Sequence, residues 1–356
     1  MNKNLVVLDP FFKKEELELP LTEVKIDGNI YPFSMVDAIP QEEMTVDDFS
    51  VVVEIQAFSC NYRDRGIFSN FRFKCDTHQE KDSLAYMGFG SDFVGIIVKL
   101  GAKVHRFNLG DRVMADHSFP FKYDGRMGGI VTNYASIRYQ TFKESSLIKV
   151  PKTMTDNEAA AFSLAALTAH SMVRKAQIKK GDNILVTSPF SNTSLACLEL
   201  LKSVNDVSIF TLTTHPENHK ELDDCFNIEG VFTPSDFSEQ KVSVKFDVIL
   251  DPFIDIHIDY ITPYCNSFAR YVSCGYCANQ NLNLDMYNVF TNMIITNTSV
   301  IANCIGLPED LISAINLYNQ GKYKVHIDSV FAENNISDFL ERSFNQKHFG
   351  KVIFHY

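Results

Sequence analysis

Glycine is missing from a tight turn where it would be expected. The stretch Lys180-Gly181-Asp182-Asn183-Ile184-Leu185-Val186-Thr187-Ser188-Pro189-Phe190-Ser191-Asn192-Thr193-Ser194 has the layout of a strand, a short polar turn and a helix, yet the turn holds no glycine. Long apolar runs are missing too. No segment stays apolar and uncharged for the roughly 18 residues that a membrane helix needs. Basic clusters are absent, and the formal charge is −11, which argues against a nucleic-acid surface. The apolar run after Met1 stops at Asp9, too early for a secretory signal, so a cytoplasmic protein is expected. No internal repeat and no low-complexity tract interrupts the chain.

Cysteine pairs are also scarce. Of eight cysteines, only Cys274 and Cys277 stand as Cys-x-x-Cys. A structural zinc site would need a second pair or suitably spaced histidines. The set reads as reduced thiols, with Cys197 on the buried face of a helix.

What is present is a change of style along 356 residues, enough for two cores. Residues 1–150 carry short alternating runs, such as 51–57 and 94–100, punctuated by glycine turns. From Pro151 the pattern becomes helical, opening on Thr155 and Glu158 at capping-box spacing. Strands (184–187, 207–211, 246–251, 271–274) then alternate with helices (195–203, 219–226), which implies a parallel sheet covered on both faces. The tail returns to the first style, with a strand at 325–328, a helix at 337–344 and a strand at 352–354. The expected division is 1–150 with 305–356 as a β-rich domain, and 151–304 as an inserted α/β domain.

Several blocks, in order, resemble the medium-chain dehydrogenase/reductase superfamily and its zinc-free quinone- and enoyl-reductase branch. They are Cys60-Asn61-Tyr62-Arg63-Asp64, Gly90-Ser91-Asp92-Phe93-Val94-Gly95, Val104 to Val113 with its Phe107 and Gly110-Asp111, Glu158 to Ala169, Phe246 to Asp251, and Gly350-Lys351-Val352-Ile353-Phe354. The resemblance implies a GroES-like catalytic domain with an inserted doubly wound, Rossmann-like nucleotide domain. Zinc-dependent relatives need three protein ligands. Asn61, Ser91 and a residue near Leu164 or Ala165 stand at those positions here, and Cys60 is one residue off. A metal-independent hydride transfer to an activated C=C bond is therefore expected, on an enone, enoyl thioester or dehydroamino acid.

The resemblance assigns a catalytic group of Asn61, Tyr62 and Asp64. Tyr62 reads as a proton donor or as an aromatic wall. Asp64 reads as a residue that fixes its own loop, and Asp92 as a partner of Arg63 or Arg65. Cofactor contacts are expected from Thr168, Ser188, Ser191, Asn192, Thr193, Ser194, Thr213, Thr214, Lys220, Gly275, Tyr276 and Lys351. Thr168 has a second, less favoured reading as a helix threonine bonded to its own backbone. Asn192 is expected to take the left-handed turn. The second strand of the nucleotide domain ends in Thr213-Thr214-His215, where an NAD site would place Asp or Glu, so NADPH is the expected cofactor. Cys277 reads as pocket lining.

Two other readings stay open. One is a member that has lost nucleotide binding and acts as a scaffold. The other is a tailoring enzyme for a peptide or carrier-bound substrate, cued by Phe68–Lys74 and the loop His117–Met127. The β-branched run from Val289 to Ala302 reads as a strand, at an edge or internal, and the resemblance implies an edge strand that pairs in a homodimer.

Overall fold

The computed structural model describes residues 2–11, 19–77, 85–118, 129–277 and 284–356. The chain divides into two compact units. Met1–His117, Ile130–Ser163 and Val325–Tyr356 build one, and Leu164–Lys324 builds the body of the other. Against the junctions expected at 150/151 and 304/305, the units change over after Ser163 and after Lys324.

The first unit is β-rich. Its larger sheet runs Ile327–Ala332, Lys351–His355, Ser50–Ser59, Asp92–Leu100, Arg112–Ala115 and Leu147–Lys149, with Tyr139–Lys143 also paired to Ser50–Ser59. Most of these pairs are antiparallel; Ile327–Ala332 and Lys351–His355 run parallel. A smaller antiparallel sheet holds Thr22–Ile26, Asn29–Asp37, Lys3–Leu8 and Tyr86–Met87. The core is aromatic. Phe33, Phe58, Phe68, Phe89, Phe339 and Phe354 are buried and meet largely edge to face, the geometry the ring quadrupole prefers.

The second unit is a six-stranded parallel sheet. Its order is Gly230–Phe232, Ser208–Leu212, Asn183–Thr187, Phe246–Asp251, Cys265–Ser273, Ser299–Ala302. The first three strands in the chain run outward on one side and the next three on the other. This is the doubly wound order, with its switch point between Asn183–Thr187 and Phe246–Asp251. The helix Asp156–Ala176 starts as expected. Thr155 N–H donates to Glu158 Oε2 at 2.9 Å, and Glu158 N–H returns a bond to Thr155 Oγ1 at 3.3 Å.

One expectation is corrected. Residues 289–302 do not form one strand: Met286–Thr296 is a helix, and only Ser299–Ala302 is a strand, at the sheet edge. The Asp285 side chain caps the helix by accepting from Asn288 N, and left-handed Asn297 ends it. These caps override the β-branched character of Ile294, Ile295 and Thr296. Among the described residues no helix is long and apolar enough to cross a membrane.

Candidate active site

The first unit gathers Asn61, Asp64, Ser91, Asp92, His117 and Lys351 at one place. The strand Ser50–Ser59 ends just before Cys60, and the helix Asp64–Thr77 follows. Asp64 closes the turn between them. Its Oδ2 accepts from Asn61 N at 2.7 Å and its Oδ1 from Gly90 N at 2.9 Å. Asp64 thus fixes its loop through backbone bonds, as expected. Burial raises its pKa, and the two backbone donors offset part of that rise.

Asn61 turns its amide inward. Its Nδ2 donates to Ser91 Oγ at 3.0 Å and to Asp92 Oδ2 at 2.9 Å. Its Oδ1 accepts from Lys351 Nζ at 2.6 Å. Asp92 bonds neither arginine. Arg63 donates to Asn133 Oδ1, and Arg65 donates to Asp27 and to the carbonyl of Phe344. Asp92 pairs instead with Lys351 Nζ at 3.2 Å. The interior position of Asp92 admits only a partner that is itself buried, which surface arginines are not.

His117 is wholly buried. Its Nδ1 accepts from Val131 N at 3.2 Å, so the ring proton sits on Nε2, which lies 3.7 Å from Asp92 Oδ1. Burial alone would raise the Asp92 pKa, but Lys351, His117 and Asn61 outweigh it and hold the carboxylate well below its usual range. Sequence reasoning missed His117, because only the fold brings it to Asp92. It also expected Lys351 on the cofactor side, whereas its ammonium is buried in this cluster.

The donor set does not fit zinc. Asn61 and Ser91 are poor ligands for that ion, the Asn61 oxygen already holds an ammonium, and a second cation there would be repelled. Tyr62 is half-exposed, with the Arg65 guanidinium over its ring at 5.6 Å. In the Phe68–Lys74 segment, Phe68 and Phe71 are buried, Phe73 is exposed, and Arg72 stacks on Phe11. Most of the loop His117–Met127 lies outside the described residues.

In the second unit the serine loop follows Thr187 at the carboxyl end of the sheet. Ser188, not Asn192, takes the left-handed conformation, at φ 46°. Asn192 is already the first helical residue, and Ser191 caps the helix Asn192–Leu201 by accepting from Ser194 N at 3.2 Å. Ser194 Oγ donates to Thr187 O at 2.7 Å. These hydroxyls therefore close the turn. The first-turn amides of Asn192 and Thr193 have no partner within a helix by its geometry and suit an anion.

Beneath the loop, buried Asp251 accepts from Thr187 Oγ1 at 2.6 Å, His257 Nδ1 at 2.9 Å and Tyr271 Oη at 2.5 Å. Burial opposes its ionisation, and these donors, His257 foremost, bring its pKa down.

Thr213 is buried and its Oγ1 accepts from His215 N at 3.0 Å, while Thr214 and Lys220 are exposed. His215 pairs with Glu217 at 3.3 Å and His219 with Asp223 at 2.6 Å. Gly275 is required: a Cβ there would lie 2.8 Å from the Pro252 carbonyl. Its own carbonyl accepts from Ile254 N. Tyr276 is exposed and Thr168 is buried. All eight cysteines are free. Burial pushes the Cys274 thiol up to about 12, and Cys277 N donates to Asp255 Oδ1, which suits lining more than redox work.

The description "Alcohol dehydrogenase GroES-like domain" matches residues 47–152. The synaptic vesicle membrane protein VAT-1 homolog of Danio rerio is 25% identical over 293 residues, covering 74% of this chain and 57% of that protein. Probable polyketide synthase 42 of Dictyostelium discoideum is 24% identical over 332 residues, covering 85% of this chain and 12% of the synthase. The chain thus spans little more than half of one relative and a small part of the other. A thermostable alcohol dehydrogenase from Pyrobaculum aerophilum superposes with a TM-score of 0.74 at 18% identity, over 99% of this chain and 100% of that one. The quinone oxidoreductase from Coxiella burnetii gives 0.71 at 16%, over 100% of both chains. At these identities the likeness to solved structures carries the fold.

Proposed function

We propose that this chain is a member of the medium-chain dehydrogenase/reductase superfamily and a metal-independent reductase of an activated C=C bond. The supporting observation is the inward-turned Asn61 amide, held by an ammonium instead of a metal. When bound, a reduced nicotinamide supplies the hydride that adds to the β-carbon of an enone, enoyl thioester or dehydroamino acid.

This chain supplies the proton. Asn61 commits both Nδ2 hydrogens, and Lys351 has three oxygen acceptors for its three. Tyr62, on the same turn and half-exposed, is the donor in this reading. Its hydroxyl protonates the α-carbon of the enolate, and the tyrosinate regains a proton from water. Asn192 and Thr193 amides receive the dinucleotide phosphate in this reading. Thr213 and Thr214 end the second strand where an NAD site would place a carboxylate, which favours NADPH. Glu217 and Asp223 compete with a 2′-phosphate for His215 and His219, so NADPH is expected to bind only several-fold more tightly than NADH.

Fluorescence titration with both dinucleotides is the first test, followed by NADPH oxidation with α,β-unsaturated carbonyl compounds. Tyr62→Phe is expected to lower kcat by roughly a hundredfold or more, with the dinucleotide Kd unchanged. A fully active Tyr62→Phe enzyme would remove Tyr62 from the chemistry. Failure of a folded sample to bind either dinucleotide would favour a scaffold protein, a reading supported by the internally bonded Ser191 and Ser194 hydroxyls.

We further propose a homodimer paired through the edge strand Ser299–Ala302, beside exposed Ile294 and Ile295. Val300→Pro is expected to shift sedimentation toward monomer; an unchanged dimer would place the interface elsewhere.

A further inference from the structure

Chain segments far apart in sequence meet around Lys351. Its Nζ donates to Cys60 O at 3.0 Å, Asn61 Oδ1 at 2.6 Å and Asp92 Oδ2 at 3.2 Å. An ammonium has three N–H donors, so each has an oxygen to meet. The residue before it is conformationally committed: Gly350 has φ 99°, and a Cβ there would lie 2.4 Å from the His326 carbonyl. Lys351 N also donates to that carbonyl at 2.8 Å. Backbone and side chain are thus both anchored, and the charge is fixed in place.

The acceptors share a purpose. Two belong to the turn that carries Tyr62, and the third, Asp92, also binds Asn61 Nδ2. Each hydrogen of the Asn61 amide and one lone pair of its oxygen are thereby used. Arg63 and Arg65 border the same turn, but they bond to Asn133, Asp27 and Phe344.

We propose that Lys351 is a positioning residue, a resident internal cation that fixes Asn61 and, through it, the Cys60–Asp64 turn that presents Tyr62. Its catalytic consequence rests on the reading of Tyr62 above; its structural claim does not. A buried network of this kind is rigid only while every member is satisfied, so loss of the ammonium frees the Asn61 oxygen and leaves Asp92 without its counter-charge.

The chain contains no tryptophan, so Tyr62→Trp places a sole indole reporter on the turn. In that background Lys351→Ala is compared with the parent by emission anisotropy and acrylamide quenching. Anisotropy is expected to fall and quenching to rise. Added propylammonium, which restores the deleted chain and its charge, should reverse both changes; propan-1-ol, similar in shape but neutral, should not. A folded Lys351→Ala variant with the parent's anisotropy and quenching overturns the proposal. So does equal rescue by the alcohol, or no rescue by the amine, since either makes Lys351 a packing residue. If Lys351→Ala does not fold, the charge-balanced pair Lys351→Met with Asp92→Asn replaces it: a loosened reporter supports the proposal, and a parent-like reporter overturns it. Absence of reductase activity in the unaltered protein would sink the enzymatic reading without changing any of these outcomes.

Discussion

The polar cluster of the first unit and the serine loop of the second satisfy their polar groups over opposite ranges. Cys60 and Lys351 are 291 positions apart, and Asn61 and Asp92 are 31. In the loop, Ser191 meets Ser194 three positions on, and Ser194 meets Thr187 seven positions back. A locally closed loop tolerates editing, because its bonds re-form among neighbours. A cluster assembled from distant segments does not, because the fold buries most of its members and draws their partners from separate parts of the chain. Charge sharpens the contrast: the cluster buries an ammonium and carboxylates, and the loop uses neutral hydroxyls.

The largest expected effect follows from that contrast. Asp92→Ala leaves the Lys351 ammonium buried without its carboxylate, at a cost of about 3–5 kcal/mol in unfolding free energy. Urea unfolding measures it. A loss under about 1 kcal/mol, the range of an exposed pair, would mean that the cluster is wetter than its burial implies.

Acid tests both units at once. The pKa values of Asp92 and Asp251 are lowered, and that of Asp310, bound to Arg174, Leu307 N and His170, falls to about 2 against the pull of its burial. A carboxyl with a depressed folded pKa stabilises above its unfolded value, about 4, and that stability is lost as pH falls toward the folded value. Asp64, with a raised pKa, acts with the opposite sign: its protonation in the folded state partly offsets the loss. Asp64 acts only between its raised folded pKa and about 4, so stability should be level near neutrality, be supported by Asp64 just above about pH 4 and fall below it. Asp64→Asn should remove that support and start the fall at a higher pH; an unaltered pH profile would mean that Asp64 titrates normally.

The same difference in range explains what could be read in advance. The parallel sheet, the capping box at Thr155 and the loop-fixing role of Asp64 follow from local pattern, and the structure has each. The true partners of Asp92 were not legible, because Lys351 and His117 reach it only after the sheet forms; nearby Arg63 and Arg65 were the local choice. The helix Met286–Thr296 was hidden for another reason. Its last turn is β-branched, so periodicity suggested a strand, and the deciding signals were single capping residues, Asp285 and Asn297.

The smallest effect lies in the loop, at Ser188. A serine at φ 46° carries a left-handed penalty of about 1 kcal/mol that glycine avoids, while glycine loses more chain entropy on folding. Ser188→Gly is thus expected to leave stability level or to raise it by roughly 0.5 kcal/mol, seen as a small rise in Tm. The dinucleotide Kd should hold or tighten, because the turn keeps its shape and sheds a side chain. A clear loss of stability would show that the Ser188 side chain has a partner worth more than its strain. The serine loop would then be a saturated network like that of the first unit, and the contrast between the two would fail.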